Sequence, residues 1–111
     1  MPYILYIDTS DSKMVSVAIS VNGKMKNKSS DVGNKKSQEV LPMIEKLLIE
    51  NQLKLKDISE IKVDIGPGSF TGLRVGIAVA NMLGTLLNIP VNGQTAGKIV
   101  SPIYEGSKYD K

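Results

Sequence analysis

The chain has 111 residues, with 14 Lys+Arg against 11 Asp+Glu, and contains neither cysteine nor histidine. A domain of this length can hold a core, burying roughly 65% of the surface its unfolded chain exposes. The missing Cys and His remove disulfides, thiolate nucleophiles, imidazole metal ligands, Ser–His pairs and the usual general base near neutral pH.

A net charge of +3 is too weak to imply nucleic-acid binding by itself. There is no charged region leading into an apolar leader and no apolar run long enough to span a bilayer. A soluble, cytoplasmic protein with no membrane partner is therefore expected.

Residues 3–9 are a short apolar run that reads as a buried strand. Asp8-Thr9-Ser10-Asp11-Ser12 forms a turn cluster. Residues 14–21 then alternate, with Val15, Val17, Ile19 and Val21 on one face and Ser16, Ala18 and Ser20 on the other. Asn22-Gly23 is a strong hairpin signal. The return strand over 24–30 places Lys24, Lys26 and Lys28 on one face, which suits either a protected sheet edge or an RNA-contacting stripe. Residues 37–52 predict a helix with Ser37 as N-cap, Glu39 near the positive end of its dipole, and Val40, Leu41, Ile44, Leu47 and Leu48 on one face. Pro42 either starts its regular part or kinks its first turn. A strand follows at about 60–65, with Ile61, Val63 and Ile65 facing one way and Lys62 and Asp64 the other. A central parallel strand covered on both sides would be apolar throughout, so this polar face is unusual. A second helix is expected over 71–88, stopped by Pro90, and Val91 begins a short fifth strand. Residues 1–96 form the folded unit, and 97–111 read as a poorly ordered tail. The order is β-β-β-α-β-α-β in a single α/β domain.

The loop Gly66-Pro-Gly-Ser-Phe-Thr-Gly72 invites comparison with phosphate-binding turns but fits neither standard pattern. A Walker A loop requires Lys after its last Gly, where Leu73 stands. The dinucleotide fingerprint is one residue shorter than the spacing of Gly66, Gly68 and Gly72. Ser69 or Thr71 can cap the helix that follows. Phe70 suits two roles, a hydrophobic staple to Val75 or an anchor at an interface. The helix itself is apolar over most of its surface, its larger polar side chains being Arg74, Asn81, Thr85 and Asn88. A helix covering one sheet face would show a wider polar side, so packing on two sides is expected. Gly72, Gly76, Ala80 and Gly84 recur every four residues and would admit a second helix, either residues 37–52 or a partner's. Arg74, the sole arginine, lies where the helix dipole disfavours a cation and calls for a carboxylate or phosphate.

The run Gly66-Pro-Gly-Ser-Phe-Thr-Gly-Leu-Arg-Val-Gly76 resembles the signature of the TsaB family, a subunit of the machinery that makes threonylcarbamoyladenosine in tRNA. Residues 4–10, Ser37-Gln38 with Leu41-Pro42-Met43-Ile44, and Pro90 through Thr95 are similar to further stretches of that family. The resemblance covers about residues 3–96. It implies one lobe of the two-lobed ASKHA (RNase H-like) fold, with a five-stranded mixed sheet and without the second lobe. It also implies a non-catalytic subunit that pairs with a TsaD-type paralogue, with a TsaE-type ATPase in the same complex and tRNA reached only through it. Many members carry His where Lys36 stands.

The expected partner interface comprises Leu41, Ile44, Leu48, Phe70, Gly72, Leu73, Arg74, Gly76, Ala80 and Gly84, and a homodimer through the same helices is an alternative. Asp8, Thr9, Ser10, Gly68 and Ser69 are the candidates for anion or phosphate binding. No metal site is expected, and no cofactor on this chain alone, although ATP would be present in the assembled complex. Two other readings remain: a nucleotide-binding ASKHA lobe, and an RNA-binding module using Lys24, Lys26, Lys28, Lys35 and Lys36.

Overall fold

A computed structural model describes residues 2–94 and 99–102 of the chain, apart from the side chain of Phe70. Four strands form one mixed sheet: β1 (Ile4–Asp8), β2 (Met14–Val21), β3 (Lys24–Asp31) and β4 (Glu60–Val63), in the order β3-β2-β1-β4. The β2–β3 hairpin closes on Asn22 and Gly23, whose φ angles of 53° and 79° give the doubly left-handed turn that this dipeptide favours. β1 pairs antiparallel with β2 and parallel with β4. β3 is therefore an edge, and its exposed lysines suit an edge that must not pair further. Lys28 reaches across to Glu50 at 3.0 Å.

Helices α1 (Lys36–Glu50) and α2 (Phe70–Leu87) pack on the same face of the sheet. The alternation read in β2 is the reason. Leu5, Ile7, Val15, Val17, Ile19, Ile61 and Val63 are buried against Val40, Ile44, Leu47 and Leu48 of α1 and Leu73, Ile77, Ala80 and Leu83 of α2. The opposite face carries Tyr6, Asp8, Ser16, Ala18, Met25, Lys62 and Asp64 around a shallow concavity. No described helix covers it, and that explains how β4 tolerates a polar face.

Two expectations need correction. The fifth strand is not formed: among the described residues the sheet has four strands, and Val91 makes only isolated bridges, parallel to Ile61 and antiparallel to Gln94. The chain reaches Val91 straight from Pro90 and leaves through Asn92 and Gly93, both at positive φ, so no length remains for a ladder. The Asn92 side chain extends the pairing instead, accepting from Val63 N at 2.8 Å and donating to Val63 O at 2.9 Å. Second, α1 is capped at Lys35, not Ser37, and without a side-chain bond. The Lys36 side chain turns into the core, which starts the helix one residue before Ser37. Most of the expected tail, 97–111, lies outside the described residues; of those described, Val100 is buried and its backbone makes two hydrogen bonds of 3.1 Å with the Asn81 amide on α2.

Candidate functional site

The end of β1, the start of α1 and the start of α2 meet at one junction. Asp8 spends a carboxylate oxygen on Ser10, accepting from its N–H at 2.9 Å and its hydroxyl at 2.6 Å. Asp11 accepts from Lys13 N and Met14 N, each at 2.8 Å, and so starts β2. Those two bonds, with Lys36 and Lys13 nearby, hold its carboxyl below the ordinary value of 3.8. Ser69 N donates to Ser10 O at 2.8 Å and binds the glycine-rich loop to this turn. Ser69 is also the N-cap of α2, its hydroxyl accepting from Gly72 N.

Thr9 lies at the centre and is fully buried. Its hydroxyl donates to Gly72 O at 2.5 Å and accepts from Gly76 N at 3.0 Å. The glycines make room for this: a Cβ on Gly72 would stand inside 3.0 Å of Thr9 O, and one on Gly76 inside 3.0 Å of the Thr9 hydroxyl. Lys36 closes the junction from the α1 side. It is 6% exposed, and its ammonium donates to Thr9 O at 2.9 Å and to Asp11 O. Burial pushes its pKa down, while Asp11 and Asp8 oppose the shift.

These contacts bear on the anion-binding candidates. The Thr9 hydroxyl, the Asp8 carboxylate and the Ser69 hydroxyl each have intramolecular partners, and Gly68 sits against Ser10 with no room for a Cβ. The five candidates are brought together, within a joint that binds β1 to α2. Among the described residues no group of three His, Cys, Asp or Glu could hold a metal ion. No described helix is long and apolar enough to cross a membrane.

The interface candidates divide in the same way. Gly72 and Gly76 face Thr9, and Gly84 faces Val91; Ile44, Leu48, Leu73 and Ala80 belong to the core. The four-residue repeat is therefore turned inward, towards the chain's own sheet and loops and, at Gly72, towards Lys36 of α1. Leu41 and Arg74 are exposed, and the side chain of Phe70 lies outside the described residues.

The outward surface of α2 is nonetheless apolar. Thr71, Val75, Ala78, Val79, Met82 and Leu86 fall within one sector of roughly 100° at the helical period. Met82 is 46% and Leu86 70% exposed. Ser37 of α1 joins Thr71, Arg74, Val75, Ala78 and Val79 in lining a groove between the helices. Leu41, 41% exposed, lies one turn further along α1 on the same flank. Glycine spacing points to the opposite face of α2 and does not single out this stripe. Plotting α2 at the helical period separates the two, with Arg74, Asn81, Thr85 and Asn88 as a narrow polar flank.

Comparison with known proteins agrees with this fold. Residues 30–94 match the family model described as TsaD, tRNA N6-adenosine threonylcarbamoyltransferase. That match covers more than half of the chain, which belongs to this family of threonylcarbamoyladenosine proteins. Within the family the sequence is similar to proteins named TsaB. The tRNA threonylcarbamoyladenosine biosynthesis protein TsaB of Buchnera aphidicola from Schizaphis graminum is 37% identical over 81% of this chain and 42% of its own length. TsaB of Escherichia coli K12 is 34% identical over 81% of this chain and 38% of its own. The solved structure of YeaZ from Pseudomonas aeruginosa superposes with a TM-score of 0.78 at 34% identity, over 82% of this chain and 42% of that one. The chain thus spans less than half the length of the relatives it matches.

Proposed function

We propose that this chain acts in the threonylcarbamoyladenosine modification of tRNA as a non-catalytic, TsaB-like subunit that docks onto a TsaD-type protein through the outer faces of α1 and α2. The observation that carries this reading is the apolar stripe Val75, Ala78, Val79 and Met82 beside Leu41. A helix already buried on its sheet side has no internal use for a second apolar side, and such a stripe costs solubility unless it is covered. Arg74 borders the stripe and suits a polar rim. Its interface residues are accordingly Leu41, Arg74 and the α2 stripe, supported from beneath by Ile44, Leu48, Leu73 and the glycines.

The non-catalytic assignment rests on chemistry. The chain has no His or Cys, and the carboxylates and hydroxyls of the junction are engaged with the Ser10 hydroxyl or with backbone groups of the joint. A TsaE-type ATPase, ATP and tRNA enter through the assembled complex, in the cytoplasm. The test is co-purification of the tagged chain with the TsaD-type protein of the same organism. A one-to-one complex is expected; recovery of the chain alone, with the TsaD-type protein present and soluble, would refute the reading.

A further inference from the structure

Building on that docking reading, we propose that Thr9 is the positioning residue that sets the rotation and axial placement of α2, and therefore the orientation of the docking stripe. In a regular α-helix the N–H of residue 76 would bond to the C=O of residue 72. Here the Thr9 hydroxyl bridges those two groups, accepting from Gly76 N at 3.0 Å and donating to Gly72 O at 2.5 Å. A side chain that bonds two backbone groups one turn apart holds a helix at a single register. Slipping α2 by one residue would rotate it by about 100° and carry both groups out of reach.

The grip is itself anchored. The Thr9 carbonyl is held at 2.9 Å by the buried Lys36 ammonium, so β1, α1 and α2 are tied at one residue. Thr71 and Val75, the first members of the stripe, directly precede Gly72 and Gly76 in sequence. Any rotation at the grip therefore passes straight to the docking surface. The glycine repeat acquires a specific purpose: it lets a hydroxyl and a strand end reach the helix backbone.

Thr9→Val keeps the branched shape but cannot bridge, and Thr9→Ser keeps the hydroxyl but loses the methyl. Two readouts separate positioning from mere stability: amide exchange at Gly76 by NMR, and affinity for the TsaD-type protein by calorimetry, both at a temperature where circular dichroism shows each variant folded. Thr9→Val is expected to speed Gly76 exchange and weaken binding by about tenfold, the scale of one lost hydrogen bond, with Thr9→Ser close to wild type in both. Unchanged exchange in Thr9→Val would overturn the bridge. Faster exchange with unchanged affinity would overturn the positioning role. If the wild type itself does not bind the TsaD-type protein, the docking reading fails and the positioning role with it. Should Thr9→Val not fold, the wild type supplies the readout: a slowly exchanging Thr9 hydroxyl proton close to the Gly76 amide supports the bridge, and its absence removes it.

Discussion

The two faces of α2 are both poor in polar side chains, yet they answer to different constraints. The inner face is shaped by contact. Gly72, Gly76 and Gly84 stand where a Cβ would collide with Thr9 or Val91, and Leu73, Ile77, Ala80 and Leu83 fill the core between them. The outer face has no such neighbours among the described residues, and its Val75, Ala78, Val79 and Met82 are partly or largely exposed. Small residues on a helix therefore do not mark an interface by themselves. On α2 the small residues serve the chain's own joint, and the larger apolar ones form the surface available for docking.

Substitutions can break this contrast. The largest effect is expected at Gly72→Val, because the new side chain meets the Thr9 carbonyl first and the Asp11 carbonyl and Lys36 ammonium beside it. Overpacking against fixed backbone should cost about 3 kcal/mol or more, read as a loss of folded protein in urea denaturation. Lys36→Met should come next. It removes the donor that serves Thr9 O and Asp11 O at a 6% exposed site. Leaving buried carbonyls unpaired costs about 1–3 kcal/mol, again measured by urea denaturation.

A smaller effect, visible mainly in acid, is expected at Asp11. Its carboxyl is lowered from 3.8 in the folded chain, so the unfolded chain binds the proton more readily. Its stabilising contribution is complete above the unfolded value and is lost as pH falls through the lower, folded one. Asp11→Asn should flatten the decline of Tm between about pH 5 and pH 2, whereas an equal slope in both proteins would remove Asp11 from the acid response.

Much of the architecture is legible in the sequence. Alternation in residues 14–21, the Asn22-Gly23 turn and the apolar period of residues 40–48 place β2, β3 and α1 within a residue or two. An apolar Val91 after a helix predicts a fifth strand. What decides its length is the Asn92-Gly93 turn, which ends it after one residue. The RNA-binding reading groups Lys36 with Lys24, Lys26, Lys28 and Lys35, yet it is buried. The signal against that grouping is its spacing: Lys36, Val40, Met43 and Leu47 share the core face of α1. The role of Thr9 was the least accessible. A hydroxyl that bridges a helix ladder requires two segments 63 residues apart to meet, and no local pattern encodes that meeting. The pair of glycines spaced by four is its trace, and that spacing alone equally suits a second helix.

The central claim is that the outer stripe of α2 docks and the inner face does not. Met82→Glu puts a charge on the stripe at a 46% exposed site and should leave urea stability within about 0.5 kcal/mol of wild type. Isothermal titration of wild type and Met82→Glu against the TsaD-type protein tests the claim most directly. The expected result is saturable binding by the wild type and a loss of about tenfold or more in the variant, since burying an unpaired carboxylate is costly. Equal affinity of the two proteins would contradict it.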